Sequence, residues 1–580
     1  MSMKNPRITW VAWMLAMGAP VASLGQMVIT RSFSVNEAVP DVGELVNAQS
    51  FGVAGATVAE VSLTLQVAGT GDGGFNGDLY AALSHGSAFS VLLNRSGKNT
   101  AGGAGYGDDG FNVTFSDSGA SDIHDYRVAL GGNASTPVPG GPTGIWQPDG
   151  RNVDPNDVLQ SSPRTAMLGT QVGQSAGGEW RLLVSDNSGG GTSQLASWGL
   201  SIRTSDIGSG AQTFTDSIVE FLELDQEIPY GVTVGGTVVF RGPNVTTVSG
   251  LIGGTGRLVH DREGELVLNG ANTFSGGVGL GAGVVTVGHD TALGTGLLSL
   301  GGGTLRSTGT ARRLGNDVSV QATSFVNAQS DLTLAGSIGG NGDLHKTGAG
   351  RLVVSGNNSS YLGATYVDAG TLYVDGSLSH SRVYVGRGGV LAGTGVVGAT
   401  TIGNGAVLSP GSSPGTIHLG DTTWEGGGSY LWQINDATGV AGSSLGWDLA
   451  SIEGTLAINA TADNRFKFNI VSLTPPSPPD VLGAAAHFDP TTARSWAVAT
   501  ATGGIAGFAT DRLQIDSSQF ANPRAGGTFA LQQNGNSIML VYTPVPEPAV
   551  CGLVVGSALA AFGWLRRRKA GTGTGTGTSV

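Results

Sequence analysis

The sequence predicts an all-β chain: an N-terminal β-sandwich, then a parallel β-helix or solenoid, then a single apolar transmembrane helix at the C-terminus. Three observations predict it. Gly supplies 99 of the 580 residues, more than twice its usual share. Val, Thr and Leu recur in short runs broken by Gly-Gly, Asn-Gly and Asp-Gly, the punctuation of short strands and tight turns. From about Gly253 the pattern repeats itself. Apolar residues make up 39 % and charged residues 12 %, so the chain can bury a core and lacks the charge density of a disordered one.

Composition also excludes partners. The formal charge of −13, with no Lys/Arg cluster before Arg566, argues against nucleic acid, whose phosphates require clustered cations. The single cysteine, Cys551, forbids an intrachain disulfide and any Cys-based metal centre.

Residues 1–25 read as a signal peptide for signal peptidase. Lys4 and Arg7 precede an apolar run from Ile8 to Leu24, and Ser23 and Gly25 are small residues before a cut at Gln26. Residues 27–204 follow as the sandwich, with alternating strands such as Val61 to Val67 between Gly- and Asp-rich turns. Trp180 and Trp198 belong in its core, as large apolar side chains on the closing strands. Gly178-Glu179-Trp180-Arg181-Leu182-Leu183-Val184-Ser185-Asp186, Leu195-Ala196-Ser197-Trp198-Gly199-Leu200-Ser201-Ile202 and Gly77-Asp78-Leu79-Tyr80 resemble the jelly-roll-like P domain that follows the catalytic domain of subtilisin-like proprotein convertases. The α/β scaffold that would position a Ser, His and Asp is missing between the signal peptide and this region. Gly191-Thr192-Ser193 falls in a turn, with no base on a defined neighbour. Carboxylates on several turns can share calcium; Asp78 and Asp186 are the candidates, although turn aspartates commonly cap backbone groups instead. No other cofactor is expected.

Residues 205–252 read as a linker with the first strands, 253–420 as the β-helix repeats and 421–543 as the C-terminal part of that module. Gly254, Gly256, Leu258, Gly264, Leu266, Val267, Gly270 and Asn272 return 86 positions later as Gly340, Gly342, Leu344, Gly350, Leu352, Val353, Gly356 and Asn358. Phe274 matches Tyr361 after a one-residue slip. Units that cannot bury their own apolar face must stack. Gly350 to Asn358 and Gly405 to Gly411 resemble the autotransporter-associated β-strand repeats of bacterial passenger domains, which implies an exported β-helix. A passenger of that family is followed by a membrane barrel of alternating strands, whereas an apolar helix follows here, so another export route is expected. The charged residues Arg257, Asp261, Arg262, Glu263, Asp343, His345, Lys346 and Arg351 read as corner residues held by solvent. His345 is expected on an exposed turn without a carboxylate partner.

Residues 544–569 combine Pro546-Glu547-Pro548, an apolar segment from Ala549 to Leu565 and the cluster Arg566, Arg567, Arg568. Physically this is a short stop-transfer anchor with its basic end cytoplasmic. The order of parts resembles the PEP-CTERM sorting signal, which implies an exosortase-like membrane enzyme as partner, Pro546, Glu547 and Pro548 as its recognition element, and removal of the anchor on processing. Residues 570–580 are a Gly-Thr tail. Together these readings predict a non-catalytic surface or extracellular-matrix protein of structural or adhesive kind, with exopolysaccharide as a candidate partner. A carbohydrate-active β-helix enzyme and a binding accessory of a secreted hydrolase are the alternatives.

Overall fold

Alternation of buried and exposed side chains drives the strands throughout. In Val58–Thr70, Val61, Leu63, Leu65 and Val67 point inward while Thr64 and Gln66 face solvent, the period of two that a one-sided sheet demands. The computed structural model describes residues 25–545 except 71–72, 223–224, 359 and 476–480. They fold as an all-β protein in two compact units that divide near residue 300.

The first unit begins with two antiparallel sheets. In one, Met27–Val39 lies beside Thr192–Thr204, which pairs on its other edge with Val58–Thr70 and then Phe111–Phe115. In the other, Gly178–Asp186 sits between Glu44–Phe51 and Leu79–His85, with Ala88–Asn94 at the edge. Phe33 meets Trp198 at 4.9 Å and Phe51 at 6.3 Å, and Phe51 meets Trp180. Both tryptophans are fully buried, as expected from their sequence context. Trp198 Nε1 donates to Asn47 Oδ1 at 2.9 Å, giving its one polar atom a partner.

Strand Gln212–Phe221 changes the architecture. One edge pairs antiparallel with Met27–Val39 and the other pairs parallel with Val232–Arg241. A solenoid exposes a row of unpaired backbone groups at its first coil, and here the antiparallel sheet covers it. The parallel ladder therefore starts at Gln212, inside the segment expected to be a linker with first strands. Gln212 pairs with Val232 and Val232 with Ile252, so one coil takes 20 residues. A second wall runs through Val245–Val248, Glu265–Leu268 and Val284–Val287.

The second unit is a parallel solenoid in its own right. One wall stacks Leu332–Leu334, Arg351–Val354, Gly370–Val374, Gly389–Gly393 and Val407–Pro410, with Leu332, Leu352, Leu372, Leu391 and Leu408 as a buried column. A second wall stacks Ser324–Ala328, Leu344–Thr347, Thr365–Val367, Val383–Val385 and Thr400–Ile402. At the C-terminal side Arg494–Ala501 pairs antiparallel with Ser537–Thr543, itself in a hairpin with Thr528–Asn534. Phe488, Trp496, Phe520, Phe529 and Tyr542 cluster under that hairpin.

The 86-residue echo is not a whole number of 20-residue coils, but two of its matched pairs do matched work. Gly254 and Gly340 both adopt φ +101°, and an added Cβ would collide with the carbonyl oxygen of the coil before, at Val234 and Val320 respectively. Asn272 Oδ1 accepts from Ile252 N at 2.8 Å, and its Nδ2 donates to Ala292 O at 2.7 Å, so one amide joins three coils. Asn358 Oδ1 accepts from Ile338 N in the same way.

Two expectations are corrected. His345 lies on strand Leu344–Thr347, not on a turn, and it has a carboxylate partner: Nδ1 is 2.7 Å from Asp368 Oδ2. It belongs to an outward row of rings, Phe325, His345, Tyr366 and Tyr384, stacked at 5.1, 4.6 and 5.2 Å. Lys346, expected at a solvated corner, is fully buried. The alternation that turns His345 outward turns its neighbour inward, where Nζ donates to the carbonyls of Thr347, Gly348 and Ala369.

Among the described residues no helix is long and apolar enough to cross a membrane. The apolar segment from Ala549 to Leu565 and the sorting residues Pro546, Glu547, Pro548, Arg566, Arg567 and Arg568 lie outside the described residues, as do the signal peptide before Gly25 and Cys551.

Candidate functional site

The outer face of the leucine-lined wall of the second unit carries a groove. Strand alternation that buries the leucine column turns a second set of residues out in rows. Arg351 aligns with Thr371 and then Val390, and Val353 with Tyr373 and then Ala392 and Ser409. The small Thr371, Val390, Ala392 and Ser409 make a floor, and taller groups stand at its ends and side: Arg351 and Tyr373, Leu431 and Gln433, and the loop at Ser412 and Ser413. The depression encloses about 510 Å³ and is open to solvent along its length.

Its walls are positioned from beneath. The Arg351 guanidinium carbon lies 4.8 Å from the Tyr373 ring centroid, a cation–π arrangement that holds both side chains. Tyr373 Oη is 2.6 Å from Ser412 Oγ. Ser413 Oγ donates to Gln433 Oε1 at 2.6 Å. Buried Asp448 fixes the loop and strand together, accepting from Gly415 N and from Gln433 N, each at 2.9 Å. Arg351 is the one charged side chain in the lining. Asp331 Oδ2 comes no closer than 3.8 Å to its Nε, with both side chains about half exposed, so screening leaves this pair little energy. Acid–base hydrolysis needs a positioned pair of titrating groups, and the described lining supplies hydroxyls, an amide, a phenol and a guanidinium instead.

The candidates in the first unit do come together. Asp78 and Asp186 sit side by side where Leu79 pairs with Asp186, and both are buried. Burial raises the Asp78 carboxyl above its ordinary range, Arg95 opposes that, and Asp186 adds to it. Burial likewise raises Asp186, whose side chain accepts from Ser188 N. Arg95 Nη2 stands 3.3 Å from Asp78 Oδ1, where a cation would stand. Among the described residues no group of three or more His, Cys, Asp or Glu side chains is arranged to hold a metal ion.

Residues 263–287 and 344–374 match the passenger-associated-transport-repeat family. Both segments are similar to that repeat. The matched segments hold the paired features described above: Asn272 with Phe274, and Asn358 with Tyr361, both rings fully buried. Relatives agree in kind. The chain is 42 % identical over 100 residues to an extracellular serine protease of Serratia marcescens, which covers 17 % of this chain and 9 % of that one. It is 38 % identical over 91 residues to the adhesin BmaC autotransporter of Brucella suis, covering 15 % of this chain and 3 % of the adhesin. The chain thus spans a small fraction of the length of the curated relatives it matches. Repeat match and relatives agree with the parallel β-helix that the coils form.

Sequence reasoning named Arg351 as a corner residue and did not find Tyr373, Ser412, Ser413 or Gln433. The signal available was the 20-residue coil: written in that period, Arg351 and Thr371 align. The longer echo hid it.

Proposed function

We propose that this protein is a non-catalytic structural or adhesive component of the bacterial cell surface or extracellular matrix. The observation that carries the proposal is the stack of transport-repeat coils, each wall built on short strands, presenting an open groove whose described lining has no carboxylate. Such a stack offers a long, regular face for contact with an extended partner. The resemblance to a named adhesin supports the same reading. In this reading the two antiparallel sheets are a P-like sandwich of jelly-roll type that caps the solenoid. A calcium ion at Asp78 and Asp186 would have to displace Arg95, so we assign that pair to an ion-paired structural role. Pro546, Glu547 and Pro548, the apolar segment after them and Arg566 to Arg568 are taken as a sorting signal for an exosortase-like enzyme, with the apolar segment as a transient membrane anchor.

The test is intact mass and cell fractionation of wild type and Glu547→Ala. Mature protein outside the cell without the segment beyond Pro548, with the variant held in the inner membrane, supports the proposal. Full-length protein retained in the membrane in both cases removes the sorting step. The similarity to the Serratia protease favours one second reading, an accessory to a secreted hydrolase, which predicts that a hydrolase co-purifies with the mature chain.

A further inference from the structure

We propose that the groove over Arg351, Tyr373, Ser412 and Gln433 binds one extended strand of an acidic, uronate-bearing polysaccharide, with Arg351 reading the carboxylate. This goes beyond the surface-protein reading and rests on it only for the presence of such a polymer nearby.

Four observations converge on this ligand class. The groove runs along the stack, crossing strands that lie about 4.8 Å apart, a spacing close to the advance of one sugar unit in an extended glycan. From Arg351–Val354 to Ser429–Ile434 it crosses four ladder steps, long enough for several sugar units. The floor of Thr371, Val390, Ala392 and Ser409 is low and nearly neutral, and its rim offers hydroxyl and amide groups at Tyr373, Ser412, Ser413 and Gln433, the donors and acceptors a polyhydroxylated chain needs. The charge in the lining is a guanidinium whose side chain makes no hydrogen bond to a described residue, with its closest carboxylate at 3.8 Å, and which is held in place over Tyr373. A planar fork of donors so held is suited to a carboxylate.

A peptide strand fits less well. Peptides add to a sheet through a free edge, whereas this is the face of a wall whose backbone groups are spent in the parallel ladder on both sides. Nor does bulk charge account for affinity toward a polyanion, because the whole chain carries −13. Attraction must come from the local guanidinium.

The experiment is equilibrium binding of the mature protein, purified from its own cells, to polygalacturonate, to the same polymer fully methyl-esterified, and to neutral dextran. Wild type is expected to bind the free uronate polymer and to lose about tenfold or more on esterification, the worth of a charge-assisted hydrogen-bonded pair. Arg351→Gln should lose the same factor toward the free acid and show no difference between acid and ester. Arg351→Lys should recover part of it. Circular dichroism and surface fractionation of each variant separate a folding or export failure from a binding one, since Arg351 is half exposed and the surface-protein reading survives whatever the groove binds. Equal binding of acid and ester by wild type, unchanged binding by Arg351→Gln, no binding to any polysaccharide, or saturable binding of an extended peptide in place of the polymer would each overturn the proposal.

Discussion

Asn272 and Asn358 stand at equivalent places in two transport repeats but are not equally employed, and that difference predicts unequal costs for the same substitution. Asn272→Ala strands two buried backbone groups, the Ile252 N–H and the Ala292 carbonyl, at a site where the residue itself is 1 % exposed. Leaving a buried donor or acceptor unpaired costs about 1–3 kcal/mol each, so about 4 kcal/mol is expected. Asn358→Ala strands only the Ile338 N–H, because among the described residues Asn358 Nδ2 has no acceptor. Removing that idle donor also recovers part of its desolvation cost, so about 1 kcal/mol is expected. The assay is urea unfolding of both variants with native-state hydrogen exchange at the Ile252 and Ile338 amides, since repeat arrays unfold in stages and a single global midpoint misleads. Protection at Ile252 should collapse by orders of magnitude in Asn272→Ala, and protection at Ile338 should fall modestly in Asn358→Ala. Equal costs, or the larger cost at Asn358, would refute the claim that Asn272 joins coils through both its polar atoms and Asn358 through one.

The remaining predictions concern titration and backbone shape. Burial pulls the Lys346 ammonium down to about 8, below the unfolded value near 10.4. The unfolded chain therefore binds more protons between those values, and stability should rise by about 3 kcal/mol as pH climbs through that window. Lys346→Met should abolish the rise, measured by urea unfolding from pH 7.5 to 10.5. His124 behaves oppositely. Burial disfavours its charged form, but the 2.7 Å contact to Asp149 and the charge there prevail and raise it above its ordinary value. Its contribution is full below about 6.5 and is lost as pH rises through the higher folded value, so His124→Gln should flatten the neutral arm of the stability profile. Gly340→Ala forces a side chain into φ +101° against the Val320 carbonyl and should cost about 2 kcal/mol or more in thermal unfolding.

The β character, the stacking and the buried tryptophans were legible because each depends on local pattern: alternation, glycine at corners, aromatic residues on closing strands. In the 86-residue echo Asn272 and Asn358 also match in one hydrogen bond, accepted at Oδ1 from a backbone N–H of the coil before. The coil itself was not legible. Its insides accept different apolar residues at one position, as Leu408 gives way to Tyr430 and then Phe468 down a single column, and the coils of the second unit differ in length, so neither residue identity nor spacing repeats strictly. His345 and Lys346 were misjudged for the same reason. With strand bounds unknown, parity could not be assigned, and parity alone decides that one faces water and the other the core. The groove was invisible because its members are brought together by stacking coils and span Arg351 to Gln433 in the chain.

The coil of 20 residues also fixes how this protein answers force. Drawn out along its stack, each coil is held by only its two neighbours, so it peels away singly instead of the whole array giving at once. Each release frees about 20 residues, roughly 60 Å of new length. Under tension the stack would therefore lengthen in increments while its remaining coils stay intact.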